Sequence, residues 1–301
     1  MDRGSTFDDA NLAQLLSERF VPVALDVWYE QRRQDEAGEF YRRVVLQREG
    51  ASLERTTQGF YAFEADGDLL RAWNRRGGEF ARTQLAGALE DYVPVQHAGE
   101  EGALDERYVR RLPEGGLVLD VHARVLQADW PPARDRWDPL RRTSVGRNHL
   151  WVLPAEVDDL GRGRVPASWL RRLARFHLVD NTRGEPPMWA AAEVRALQLE
   201  RGEDGWWRGR AQLFSEDGTR GYEAELLMRL VCEGDRLREL ELVALGAYHG
   251  EGRWTQGAPP GEFELGVLVR VGGRDEASRL ALDVPPQGAR NLADYWGDAP
   301  R

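Results

Sequence analysis

The sequence has no lysine, no isoleucine and a single cysteine, Cys232, so all 41 basic side chains are arginine. Without lysine there is no P-loop lysine, no Schiff-base lysine and no Ser-Lys dyad. The absence of two residues with AT-rich codons fits GC-rich coding DNA. A lone cysteine excludes an intrachain disulfide and a thiolate zinc cluster. No apolar run reaches the roughly 18 residues that would suggest a bilayer span, and the first residues lack the basic-then-apolar build of a secretory signal. A formal net charge of -10 repels phosphate backbones and anionic lipid, so neither nucleic acid nor membrane is expected as a partner. Gly-x-Ser-x-Gly, His-Glu-x-x-His and paired-carboxylate spacings are missing. Gly77-Gly78 and Gly272-Gly273 lack the flanks of a nucleotide loop.

What is present suffices for a folded core. The 301 residues are about two domains' worth of chain, 42% hydrophobic, with 11 Trp, 8 Tyr and 9 Phe. In residues 1–95 the periodicity mixes helix and strand. Leu12, Leu15, Leu16 and Phe20 lie at helical spacing behind a capping-box pair, Thr6 and Asp9. Phe20 to Trp28 reads as a strand covered on both faces, and Gln31 to Gln47 as a surface helix. Phe60 to Glu64 and Leu69 to Trp73 flank the Asp66-Gly67 hairpin turn. Glu79 to Tyr92 closes the region as a helix. Residues 96–110 read as a linker.

From residue 111 the period changes to two. Leu117 to Val125, Val194 to Leu199, Trp206 to Phe214, Tyr222 to Cys232, Arg238 to Gly246 and Phe263 to Val271 read as strands separated by tight turns. One helix, Ser168 to His177, interrupts them, and the tail from Asp283 reads as loosely held. The expected class is α+β: an α/β unit followed by an antiparallel β-rich domain, curled or closed like a barrel to limit its edges, with one helix.

The opening stretch, MDRGSTFDDANLAQLLSERFVPVALDV, resembles a segment of thioredoxin-like proteins. The positions that carry it are Met1, Asp2, Thr6, Phe7, Asp8, Leu16, Glu18, Arg19, Phe20, Val21, Pro22, Val23 and Asp26. Thr56 to Leu70 is similar to the hairpin of the same fold, and the resemblance ends near residue 92. It implies an incomplete thioredoxin-like unit, because the family's first strand and Cys-x-x-Cys pair would precede Met1. Where the family has a proline before the hairpin, this chain has Thr57-Gln58-Gly59. The implied protein is of thiol-redox lineage and redox-inactive as given, with a β-rich domain for substrate or partner recognition. An upstream in-frame Cys-x-x-Cys or selenocysteine variant is the accompanying expectation. Localisation reads as cytoplasmic for this sequence, and as exported if its N-terminus is truncated.

The candidate ligand-binding residues fall in two segments of the second domain. His177, Asp180, Asn181, Arg183 and Glu185 follow a helix. They read either as imidazole, carboxylate and guanidinium groups for a ligand, or as a helix stop in which His177 caps the last carbonyls. His249, Glu251 and Trp254 lie in a glycine-flanked segment that reads as a ligand loop or a hydrogen-bond network. A metal there would need a third ligand such as His122 or Asp120. Cys232 reads as an inert core thiol. One of Trp206 and Trp207 reads as core, and the other lines a cleft with Trp254. No catalytic residue, metal or cofactor is assigned. The second functional reading is therefore a non-enzymatic protein that holds a small molecule or a protein between these two loops.

Overall fold

A computed structural model describes residues 6–94, 103, 105, 107, 108, 110–135, 138–272 and 281–297. Its contacts divide the chain into two compact units, 2–110 and 111–301. Most of the expected linker, 96–110, lies outside the described residues.

In the first unit α1 (Ala10–Arg19) is capped by Asp9 alone, whose carboxylate accepts from the amides of Asn11 and Leu12, each at 3.0 Å. Thr6 does not cap this helix. Its hydroxyl accepts from the Gly77 amide at 3.1 Å, where the chain enters a later helix. The strand expected over Phe20 to Trp28 is corrected: residues 20–26 are irregular, and α2 (Val27–Glu30) begins at an Asp26 cap. Two physical causes act together. Pro22 removes a ladder donor, and no described strand lies alongside to pair with the segment. The apolar side chains meant for a covered sheet consequently stand out, Val21 at 90% exposure and Val23 at 67%.

The expected long helix starts later, as α3 (Glu36–Leu46), because Asp35 caps it and is itself held by a bidentate Arg33. Tyr41, Val44 and Val45 are its buried side chains. β1 (Phe60–Phe63) and β2 (Leu69–Trp73) form the expected antiparallel hairpin, turning at Gly67 with φ 95°. α4 (Gly78–Asp91) packs Ala81, Leu85 and Ala88 against Leu12, Ala62 and Trp73. Phe60 stacks on Trp73 with ring centroids 5.4 Å apart. Among the described residues the sheet of this unit has two strands.

The second unit contains β3 (Leu117–Gln127), α5 (Asp138–Thr143), β4 (Gly146–Val152), α6 (Pro154–Gly161), α7 (Ala167–His177), β5 (Val194–Arg201), β6 (Trp207–Phe214), β7 (Gly221–Glu233), β8 (Arg236–His249), β9 (Glu262–Val271) and α8 (Leu292–Trp296). All strand pairs are antiparallel, in the order β4-β3-β9-β8-β7-β6-β5. The sheet is open rather than closed into a barrel, the sequence having left a curled sheet and a barrel as alternatives. Its inner face is covered by α6 against β7 and β8 and by α7 against β4 and β5, so it need not fold onto itself to bury that face. On β7, Tyr222, Ala224, Leu226 and Met228 are buried, and Glu223, Glu225, Leu227 and Arg229 face out. The expected single helix is also corrected, since four are present among the described residues. The tail is not loose where described: Tyr295 and Trp296 of α8 are buried in a second cluster with Trp151, Leu153 and Phe176. Among the described residues no helix is long and apolar enough to cross a membrane.

Candidate functional site

The helix α7 carries His177 into the interior at its last turn, where the ring is 1% exposed. It caps no carbonyl. Nδ1 lies 3.2 Å from Asn148 Nδ2, and Nε2 lies 3.0 Å from the Tyr295 hydroxyl. Asn148 Oδ1 is occupied by the amides of His149 (2.8 Å) and Gln287 (2.9 Å), which fixes the orientation of the side-chain amide. Asn148 Nδ2 therefore donates to Nδ1, and the neutral imidazole carries its proton on Nε2. Burial holds the His177 pKa well below the usual imidazole value, with the charges of His149 and Arg172 acting in the same direction.

Asp180, Thr182 and Arg183 form a closed knot. Asp180 Oδ1 accepts from the Thr182 amide (3.0 Å) and hydroxyl (2.6 Å), and Oδ2 accepts from Arg183 Nη2. Arg183 Nε points to the Thr255 carbonyl at 3.4 Å, so the guanidinium expected to grip a ligand is taken up by the protein. The Asn181 amide donates to Gln287 at 3.2 Å, and Glu185 pairs with Arg290 at the surface at 3.1 Å. The two expected segments do meet. Glu185 bridges Trp254, and a Cβ at Gly184 would lie 2.0 Å from the Trp254 carbonyl, so only glycine admits that approach.

In the other loop His249 Nε2 donates to the Gly218 carbonyl at 3.3 Å, and Glu251 accepts from the amides of Gly257 (2.7 Å) and Ala258 (3.0 Å). Trp254 is the outward-facing member, 65% exposed. Trp207 packs on the main core while Trp206 is exposed, and the Cys232 thiol donates to the Leu160 carbonyl at 3.2 Å. No group of three metal-capable side chains occurs among the described residues, the set proposed around His249, Glu251, His122 and Asp120 included. The constellation is brought together as a hydrogen-bonded seam whose donors and acceptors mostly face each other.

The open space lies in the other unit. A cavity of about 1030 Å³ is bounded by the irregular segment Val21 to Leu25, by Thr57 to Phe63, by Leu12, Leu16, Ala81 and Leu85 of α1 and α4, and by Phe40, Tyr41, Val44 and Val45 of α3. Its lining is apolar apart from a few groups. Tyr41 Oη lies 2.5 Å from Thr57 Oγ1, which also accepts from Gln31 Nε2 at 3.0 Å. The charged residues in the lining, Glu30, Asp35 and Glu36, are all acidic. Burial raises the pKa of Glu30 against the pull of Arg33, whereas the Arg33 hydrogen bonds lower Asp35 to about 2. Burial also raises the Tyr41 phenol.

Known families, curated proteins and solved structures give no match to this chain.

Sequence reading placed the walls of this cavity but not the cavity. The apolar run Phe20 to Leu25 and the hairpin were both visible as patterns. Nothing in a pattern of side chains shows that the space between two such walls is left unfilled.

Proposed function

We propose that this chain is a non-enzymatic binding protein of thiol-redox lineage, whose N-terminal unit holds an apolar guest. The cavity carries this reading: at about 1030 Å³ it reaches the upper end of the usual size range for small-molecule sites, and its walls are mostly aliphatic and aromatic. Burying apolar surface of a guest there is favourable by roughly 25 cal/mol per Å² before the costs of association. The lineage rests on the resemblance of the first 92 residues. The sequence given has one cysteine, so a dithiol exchange cycle cannot be completed within it. The seam around Arg183 and His249 favours a structural role for those residues, since their polar atoms already have partners.

The test is titration with the neutral fluorophore N-phenyl-1-naphthylamine. Wild type is expected to bind one equivalent. Ala37→Trp and Leu16→Trp, which place bulk at the cavity wall outside the buried core, are expected to weaken binding at least tenfold while far-UV circular dichroism stays unchanged. Absence of dye binding to wild type, or wild-type affinity in both folded variants, would overturn the reading.

A further inference from the structure

Two of the cavity walls are stretches of backbone with unpaired edges. Val21 to Leu25 makes no backbone hydrogen bond to another main-chain group among the described residues, and it is flanked by extended geometry at Phe20 (φ -133°, ψ 161°) and Asp26 (φ -87°, ψ 110°). β1 pairs with β2 on one edge only, again among the described residues. The remaining walls are two sets of apolar side chains. One set, Leu12, Ala81 and Leu85, belongs to the packed cluster of this unit. The other, Tyr41, Val44 and Val45 of α3, is buried but stands outside every cluster of packed core residues. Both sets line the same space.

Resting on the cavity reading above, we propose that the guest is an extended polypeptide strand donated by a partner chain, seated between Val21–Leu25 and β1. A compact lipid-like guest would satisfy the side-chain walls and leave both backbone walls unpaired. A strand satisfies all four, because its main chain pairs laterally while its alternate side chains reach the two helical sets. With apolar groups on both sides, the strand must be apolar at successive positions rather than at alternate ones. The length is set by the five residues of the irregular wall, so about five to seven residues, roughly 17 to 23 Å, fill the site. Charge adds no further feature, because Glu30 and Asp35 in the lining are already paired with Arg33, at 3.4 and 2.6 Å.

The experiment uses the full chain and a synthetic library of capped heptapeptides. Val, Leu, Phe or Tyr occupies five central positions, with one lysine at each end for solubility; a control library has proline at the third and fifth positions. Hydrogen exchange read by mass spectrometry is expected to show slowed exchange over both residues 21–25 and 60–63. The proline library is expected to bind at least tenfold more weakly. Equal affinity for the proline library, or binding without slowed exchange in both segments, would overturn the inference. Binding of the fluorophore but of no peptide would also overturn it and leave the cavity reading standing. Binding of neither would remove both.

Discussion

Asn148 Nδ2 donates to His177 Nδ1 at 3.2 Å, and the opposite end of that amide is held by two main-chain donors. The amide cannot turn over to offer an oxygen without abandoning both. A protonated His177 would set an N–H against an N–H.

Acid sensitivity follows. The folded pKa of His177 lies below its unfolded value of about 6.5, so the stabilising contribution is present above pH 6.5 and declines as pH falls below it. His149, also lowered by burial, acts in the same direction. Urea unfolding between pH 8 and 5 is expected to show stability decreasing below pH 6.5, by up to about 1.4 kcal/mol per pH unit per histidine. His177→Gln is expected to flatten this slope. An unchanged slope in that variant would place the sensitivity elsewhere.

Arg183 is expected to behave as a structural residue. It and Asp180 have side chains only 1% exposed, so Arg183→Ala leaves a buried carboxylate without its partner. Loss of one member of such a pair costs about 3–5 kcal/mol. Trp254→Ala, at an exposed position, is expected to change stability by less than about 1 kcal/mol. Chemical denaturation of both variants checks the contrast.

Tyr295 ties the C-terminal segment to the sheet through its hydroxyl, 3.2 Å from the Trp151 amide and 3.0 Å from His177 Nε2. Tyr295→Phe is expected to cost about 1–3 kcal/mol, because two buried donors lose their acceptor. Tyr295→Ala is expected to cost about 3–5 kcal/mol, because the aromatic cluster with Phe176 and Trp296 also opens. Near-UV circular dichroism should register the loss of stacking between Trp151 and Trp296, whose ring centroids lie 5.9 Å apart.

In the first unit the exposed wall of the cavity should be thermodynamically silent. Val21→Thr and Val23→Thr are expected to leave the unfolding midpoint within about 2 to 4 °C, since surface changes of this kind usually stay within ±0.5 kcal/mol. Both are expected to weaken fluorophore binding. A marked loss of stability would show that these side chains are packed against something in the free protein.

The strands of the second unit were legible because a half-buried strand writes its burial in period two, as from Tyr222 to Met228. α8 was not legible. Its five residues are too short for a periodic signal, and Trp151, which it covers, lies more than 140 positions away. Phe20 to Leu25 shows the reverse failure. Its composition suits a strand, but composition supplies no neighbour to pair with. The candidate residues His177, Asp180, Arg183, His249 and Glu251 were visible as polar groups near turns, yet whether such groups face a ligand or one another depends on where the chain brings their partners.

By itself the sequence determined which reactive side chains the 301 residues carry, since residue identity alone decides that. It also determined the alternation of the β-rich domain and the turns that separate its strands. Tertiary structure alone decided that the sheet stays open, that Arg183 faces Asp180, and that an apolar cavity remains beside β1. Those outcomes depend on contacts between distant residues, and local periodicity carries no record of which surfaces find a partner.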